Sequence, residues 1–447
     1  MNPINVKGTH DITFEDGPYF AYIREAFQWI CSTYGYRYIE PPVLEYTEVF
    51  SRGTGESSDI VRKEMYTFLD KGDRSVTMRP EFTAGVIRSI VSNKLYATSD
   101  LPLKTFYFGP AFRYERPQLG RYRQFYQAGV ECVGVDSPLL DAETLMLALS
   151  VLKELGFENL HVKVNTLGGK ESRLRYREAL KEYFSKHIDA MCEDCHSRLE
   201  LNPLRILDCK VPEDHALTLS APKMRDYLTE EDEQRFVSVL SYLATSNIDY
   251  EVDETLVRGL DYYGGLVFEI HGAGELGEDI GALCGGGHYE GLLKAFGGPE
   301  EFDVGVGFAL GVDRIIALMK QNPKAPKPSD DIDIYMMPLG DLAQNNLFFL
   351  AQDLREGGLK VEMPYKGGKL AAMFKKATKR NAHIALIAGD DEINGNYIQV
   401  KDLLTQEQKK VEMDVLGEAI EKILLSHEED DDCDDPNCEH HHHHHEE

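Results

Sequence analysis

Between Tyr19 and Tyr34, Phe20, Ile23, Phe27, Ile30 and Cys31 recur at helical spacing, which predicts a helix with one buried stripe. Tyr36 to Leu44 then reads as extended chain running into Pro41-Pro42, a pair that excludes helix and suits the edge or end of a strand. Segments 76–79, 103–109, 123–135 and 161–167 are short, rich in β-branched and aromatic residues, and bounded by Gly, Pro or charged turns. Together they predict an antiparallel sheet. Residues 171–246 are charged and helix-periodic, a helical insertion between two halves of a sheet domain. A strand at 266–272, a glycine-rich turn, and a strand running into an amphipathic helix over 305–321 complete the first domain, expected to span 1–325.

Pro323, Pro326 and Pro328 among polar neighbours mark a linker near 322–331. Beyond it, strand patterns at 332–337, 359–363, 383–388 and 397–400 alternate with helical ones at 340–356 and 368–380, a small α/β domain over 331–425. The acidic, histidine-rich stretch 426–447 is too polar to build a core, and disorder is expected there. The fold class is therefore α+β.

Charge changes this picture only when located. The 447 residues carry a net −28, which argues against nucleic-acid binding at first sight. Ten of those acids fall in the last twenty residues, leaving −18 on residues 1–427. Between Lys360 and Arg380, Lys360, Lys366, Lys369, Lys375, Lys376, Lys379 and Arg380 face a single acid, Glu362. Such a patch can meet phosphates whatever the global charge, or it can be the solvated face of an amphipathic helix. The N-terminus has no basic-then-apolar leader and no run is long enough to span a bilayer, so a cytoplasmic, membrane-free protein with reduced cysteines is expected.

The segment 108–134 is richest in candidate chemistry. If 123–132 is a strand, Arg123, Phe125, Gln127, Gly129 and Glu131 share one face, and Gln124, Tyr126, Ala128, Val130 and Cys132 share the other. The second face suits a core. The first aligns an arginine, a ring, an amide and a carboxylate, with Arg113 and Glu115 just upstream. Arginine forks match phosphate and a flat ring can stack on a base; a salt-bridged solvent face is the competing account. Glu81 and Thr83 follow a strand-breaking Arg-Pro and can point into a cleft, or Glu81 can simply serve a helix N-terminus.

The glycines of GALCGGGHYEGLL (281–293) permit close backbone approach, but no G-x-x-x-x-G-K-[ST] exists and GVGFALG (305–311) misses G-x-G-x-x-G. Arg258 and Arg314 flank this region. Cys192-x2-Cys195 with Cys209 resembles part of a zinc site that His196 or His215 would complete, although its spacing matches no recognised four-ligand pattern and no metal ligand is assigned. For HHHHHH at 440–445, beside Cys433 and Cys438, an appended tag and a natural metal-binding tail both stand.

Taken in order, these segments resemble the class II aminoacyl-tRNA synthetases, and within them the histidyl-tRNA synthetase family, over residues 5–425. The helix and strand ending at Pro41-Pro42 resemble motif 1, FRYERPQLGRYRQFYQ (112–127) motif 2 and GFALGVDR (307–314) motif 3. LVRGLDYY (256–263) and GALCGGGHYEGLL resemble the two histidine signatures. The resemblance implies a catalytic domain built on an antiparallel sheet flanked by helices, with a helical insertion, and a C-terminal α/β anticodon-binding domain. It implies a ligase that activates L-histidine with ATP and Mg²⁺ and then charges tRNA-His, as a homodimer.

By the same resemblance Arg113 and Arg314 would bind ATP phosphates, with Glu115 and Phe125 at the adenine. Arg258 would contact the α-phosphate and the histidine carboxylate and, with Arg113, carry catalysis. Glu81 and Thr83 would hold the amino group, and Phe82, Gln127, Glu131, Tyr262 and Tyr263 would complete the histidine pocket. Lys366, Lys369, Lys375, Lys376, Lys379 and Arg380 would face tRNA. The sequence departs from the family in His288, where Arg is usual, which puts the charge of the pocket edge in question. Gly264-Gly265-Leu266 likewise replace a stretch that often holds threonines. The rival is a catalytically silent, histidine-sensing regulatory subunit of ATP phosphoribosyltransferase. It usually lacks the C-terminal domain and the RGLDYY-type signature. Synthetases for glycine, threonine or proline are opposed by the two histidine signatures.

Overall fold

The computed structural model describes residues 4–55, 58–97, 100–116, 120–273 and 279–432. The tail readings on Cys433, Cys438 and 440–445 fall outside them. Two compact units divide the chain, Met1–Pro328 and Ser329–Glu447.

The first unit is built on an eight-stranded sheet. Its order is Arg37–Tyr38, Leu103–Phe112, Gln124–Val133, Val304–Gly311, Asp279–Glu290, Tyr263–Ala273, Leu160–Thr166 and Tyr250–Val252. The six central strands pair antiparallel, and each short edge strand pairs parallel to its neighbour. Strand alternation sorts side chains between the two faces. Phe106, Phe108, Ala128, Val130, Phe268, Val306 and Phe308 point into one core, where they meet helices Gly17–Thr33 and Pro138–Glu154 through Phe27, Ile30, Leu145 and Leu152. Tyr107, Ala111, Val267 and Tyr289 point the other way, toward Ile87 of helix Thr83–Ser92, Phe82 just before it, and the packed residues of the insertion.

Two sequence expectations are corrected here. The segment 76–79 does not join the large sheet. Ser75–Met78 is the centre of a separate three-stranded sheet with Leu44–Tyr46 and Tyr66–Leu69, because Pro80 stops it and the Arg79 amide bonds Val43 O at 2.8 Å. The glycine-rich stretch expected as a turn is, from 279 on, the Asp279–Glu290 strand, hydrogen-bonded on both sides in the middle of the sheet, and its glycines are there for space; residues 274–278 lie outside the described ones.

The helical insertion comprises Lys170–Ser185, Glu193–Leu201, Pro212–Leu219 and Glu230–Thr245, with short 3₁₀ turns between them. Its last helix buries Val239 and Leu243 in the core of the sheet domain, and the earlier parts pack Tyr176, Phe184 and Cys195 into the cluster on the sheet's other face.

The second unit has a five-stranded sheet in the order Val361–Glu362, Ile334–Leu339, Ile384–Gly389, Tyr397–Asp402, Gln408–Glu412, parallel for the first three and antiparallel beyond. Helix Asp341–Glu356 packs Leu347 and Ala351 on one face, and Leu370–Lys379 packs Met373 and Ala377 on the other. Disorder from 426 is contradicted as far as Asp432, since the Leu416–Asp432 helix continues through it. Leu416, Ile420, Ile423 and Leu424 form a helical apolar stripe that carries His427 inward, where its Nε2 lies 3.1 Å from Asp402 Oδ1.

Candidate active site

The cleft lies on the sheet face opposite the large helices. Gln127, Gly129 and Glu131 of one strand present their polar row there. Arg123 leaves that row: it sits before the strand, and its guanidinium covers the Tyr114 ring at 3.8 Å. Glu131 is buried and accepts hydrogen bonds from Thr83 Oγ1 at 2.6 Å and Tyr289 Oη at 2.8 Å. Burial pushes its pKa up to about 8, although those two donors pull the other way. Gln127 Oε1 is buried with no partner, an acceptor aimed at a donor the protein does not supply.

Glu81 realises both sequence accounts at once. It caps the start of the Thr83–Ser92 helix by accepting the amides of Thr83 at 2.6 Å and Ala84 at 3.0 Å, and it borders the same cavity as Glu131. Thr54 Oγ1 adds a third bond at 3.2 Å, and burial holds the Glu81 pKa above the usual carboxylate range. Phe82 is buried behind it, stacked on Tyr107 with centroids 4.3 Å apart and capped by the Arg79 guanidinium at 3.9 Å. Arg79 itself donates to Pro41 O at 2.6 Å and Pro110 O at 2.7 Å, and so ties the Pro41-Pro42 element to the floor of the cleft.

Tyr262 and Tyr263 stand on the far wall with ring centroids 4.6 Å apart, and Tyr289 packs on Tyr262 at 5.6 Å. Burial pushes Tyr263 up to about 12, so this wall consists of neutral donors at physiological pH. Arg258 comes from an irregular loop fixed at three points. Asn165 Nδ2 donates to Leu256 O at 3.0 Å, Arg205 Nη1 to Gly259 O at 2.8 Å, and Asn202 Nδ2 to Asp261 Oδ1 at 3.0 Å. Its guanidinium lies across the Gly285–Glu269 strand pair and is ion-paired to Glu269, which also holds His271 Nε2 at 3.1 Å. A Cβ on Gly285 would sit 2.5 Å from Arg258 Cζ, and one on Gly307 would sit 3.0 Å from Glu131 Cδ. Those glycines leave the volume that the two charged groups occupy.

At the mouth, Arg113 donates from Nε to Pro80 O at 2.8 Å, covers the Phe125 ring at 5.2 Å, and reaches Glu115 at 3.7 Å. Glu64 stands close enough to be pushed up by its burial and by the charge of Glu115. Arg314 lies apart from this group, at the start of helix Val312–Gln321, and donates to Ile280 O at 2.6 Å. Thus Glu81, Phe82, Thr83, Arg113, Gln127, Glu131, Tyr262 and Tyr263 border one cavity, and Arg258 adjoins it beside Tyr263. In the second unit Lys366, Lys369, Lys375, Lys376 and Lys379 are exposed, whereas Arg380 is half-buried and bonded to Glu362 at 2.8 Å.

Sequence reasoning missed Tyr289, Tyr107 and Glu269. With 279–290 a strand, period-two alternation separates Tyr289 from His288, and the intervening Val304–Gly311 strand brings Tyr289 to Glu131. The same alternation corrects His288. It faces away from the cleft, is buried, and pairs through Nδ1 with Asp141 Oδ1 at 3.0 Å beside Arg235, so it does not set the charge of the pocket edge.

Residues 8–315 match the family model of histidyl-tRNA synthetase, and 333–423 that of the anticodon-binding domain. The histidine–tRNA ligase of Bacillus licheniformis is 46% identical over 408 residues, 91% of this chain and 96% of that one. That of Bacillus subtilis is 45% identical over 408 residues, again 91% and 96%. The structure of apo Staphylococcus aureus histidyl-tRNA synthetase superposes with a TM-score of 0.79 at 35% identity, covering 94% of this chain and all of that one. An ATP phosphoribosyltransferase regulatory subunit/histidyl-tRNA synthetase from Bacillus halodurans shares the fold at a TM-score of 0.59 and 22% identity, covering 87% of this chain and 99% of that one. A buried acceptor pocket beside an arginine, the order of the strands that build it and the agreement along both units converge: the chain belongs to the histidyl-tRNA synthetase family.

Proposed function

We propose that this chain activates L-histidine with ATP and transfers it to the 3′ end of tRNA-His. The observation that carries the reading is the acceptor pair of Glu131 and the unpartnered Gln127 Oε1, set in an aromatic-walled cavity that Arg258 adjoins. An imidazole N–H satisfies such a pocket, whereas an amino acid without that donor leaves buried acceptors unpaired. Glu81, with Thr83 beside it, offers a carboxylate to the substrate ammonium group.

In the first step a carboxylate oxygen of histidine attacks the α-phosphorus of ATP. The new P–O bond forms as the bond to the β-phosphate bridging oxygen breaks, and pyrophosphate leaves with that electron pair. Arg258 neutralises the approaching carboxylate and the α-phosphate, and Arg113 and Arg314 hold the remaining phosphates. Phe125 and Glu115 provide the adenine platform. Glu64 and Glu115, carboxylates whose charges oppose one another, would be the residues to hold Mg²⁺, which would supply dispersal of charge on the phosphates. In the second step the terminal 3′-hydroxyl of tRNA attacks the histidyl carbonyl, and AMP leaves.

The exposed lysines of the second unit supply phosphate contacts for tRNA. Homodimer formation through the Pro41-Pro42 element is supported by exposed Trp29, Tyr38, Leu44 and Tyr46, an apolar set around that element. Among the described residues no helix is long and apolar enough to cross a membrane, in keeping with work in the cytoplasm. The test is histidine-dependent ATP–pyrophosphate exchange by the purified protein. Exchange specific to histidine is expected. No exchange with histidine and Mg-ATP, combined with histidine binding and stimulation of a phosphoribosyltransferase, establishes the regulatory subunit instead. The intact Arg258, Tyr262 and Tyr263 disfavour that outcome.

A further inference from the structure

The insertion holds a second constellation that the ligase reaction does not use. Cys192 is the residue before helix Glu193–Leu201, Cys195 lies in its first turn, Cys209 follows the 3₁₀ turn Pro203–Asp208, and Asp214 lies in the first turn of helix Pro212–Leu219. One ligand atom from each of these four residues lies within 4.8 Å of all the others. The sulfurs of Cys192 and Cys209 are 3.8 Å apart, and Cys209 Sγ is 3.3 Å from Asp214 Oδ2. With zinc–sulfur bonds of about 2.3 Å and zinc–oxygen bonds of about 2.0 Å, a regular tetrahedron puts two sulfurs about 3.8 Å apart and a sulfur and an oxygen about 3.5 Å apart. A disulfide would need the sulfurs at about 2.05 Å.

We infer that Cys192, Cys195, Cys209 and Asp214 form a closed tetrahedral site for a thiophilic divalent cation, of which zinc is the best match. The fourth ligand is not the histidine expected from the sequence. His196 and His215 are both exposed, and His215 Nδ1 approaches Thr218 Oγ1 at 3.4 Å. Asp214, Cys195 and Cys209 are buried, and the Cys192 amide donates to Asp214 Oδ2 at 3.1 Å, which orients the carboxylate from outside the ligand set. With all four positions filled by protein the site is structural, without an open position for substrate. On binding, the three thiols each lose a proton to solvent and the carboxylate enters already ionised.

The site's position gives it a task. It ties the helices Glu193–Leu201 and Pro212–Leu219 to the 3₁₀ turn between them. The same stretch supplies Asn202 and Arg205 to the Arg258 loop, and Arg198 and Arg205 both grip Asp59 at 3.0 Å. The metal therefore sets the rigidity of the platform behind Arg258.

The test uses the full chain under reducing conditions, with Cys433→Ser/Cys438→Ser as the background so that tail thiolates contribute nothing. Cobalt(II) should give a tetrahedral spectrum with thiolate charge-transfer bands at one equivalent, displaced by one equivalent of zinc. Cys209→Ser should weaken cobalt binding by about tenfold or more, and Asp214→Ala should do the same while keeping the thiolate bands. In the unsubstituted chain, half-buried Cys192 should be protected from alkylation by zinc and released by a chelator, as followed by peptide mass mapping. This measurement needs no variant to fold. The inference is overturned if the background protein shows no thiolate–cobalt band, if Cys192 alkylates at one rate with zinc and with chelator, or if mapping finds a Cys192–Cys209 disulfide in place of bound metal.

Discussion

Gly285→Ala isolates the placement of Arg258 from its chemistry. The atoms nearest the added methyl all belong to the Arg258 guanidinium, with Cζ at 2.5 Å. Non-bonded carbons rest at about 3.5–4.0 Å, so the guanidinium must retreat by about 1 Å. Gly285 does not occupy the left-handed region, so the backbone accepts alanine without strain, and the cost falls on the flexible end of one side chain. A displacement of about 1 Å at a group that stabilises the transition state costs about a hundredfold in rate, or about 2.7 kcal/mol. Pyrophosphate exchange should therefore show kcat lowered about a hundredfold, with the thermal midpoint and circular dichroism near those of the parent. If the methyl acts only through Arg258, adding it to Arg258→Ala should cost nothing further. Exchange within about threefold of the parent, or full additivity with Arg258→Ala, would refute the assignment of Arg258 as the group that this glycine accommodates.

The remaining predictions concern titration, packing and tRNA. Glu131, pushed up to about 8, must ionise to accept the imidazole N–H, so histidine affinity should strengthen by up to about tenfold per unit as pH rises from 7 toward 8, with net proton release in calorimetry. A flat profile would count against it, and Glu131→Gln should abolish the dependence. Without ligand the sign reverses for stability: the folded state keeps a proton that the unfolded chain releases above its ordinary carboxylate pKa, so this group's contribution falls as pH rises toward 8. His288 is raised to about 9, because Asp141 more than offsets the burial that would lower it. Its pairing is fully present below about 6.5 and lost as pH rises through 9, so His288→Asn should cost about 2 kcal/mol in urea unfolding at pH 6.5 and much less at pH 9.5. Replacing Lys375, Lys376 and Lys379 together by Glu should raise the KM for tRNA and flatten its salt dependence while pyrophosphate exchange stays unchanged. A parallel loss of exchange would show damage beyond the tRNA contact.

What was legible in the sequence was whatever a local period could encode. The helix beginning near Phe20, the alternation of Gln127 and Glu131 against Ala128 and Val130, and the proline linker all rest on neighbours in the chain. The 279–290 strand escaped because local propensity reads glycine as a turn, whereas here the glycines answer to side chains far away in sequence, Arg258 foremost. Tyr289 and the true surroundings of His288 were lost with it. The final helix was masked by acidic composition, although Leu416, Ile420 and His427 keep a helical stripe through it. Asp214 is not legible as a partner of the cysteines, because histidine is the usual companion of such cysteines and only tertiary folding brings a carboxylate from another helix to that spot.

The glycine wall also bears on inhibition. Where side chains would stand at Gly285 and Gly307 the protein places its own Arg258 and Glu131, so a compound in the cleft meets those two charged groups and not the glycine backbone. Any larger residue at either glycine would displace a group that the substrate itself needs before it reached the compound. Molecules that draw most of their contact from Arg258 and Glu131 should therefore meet escape mutations at these glycines least often.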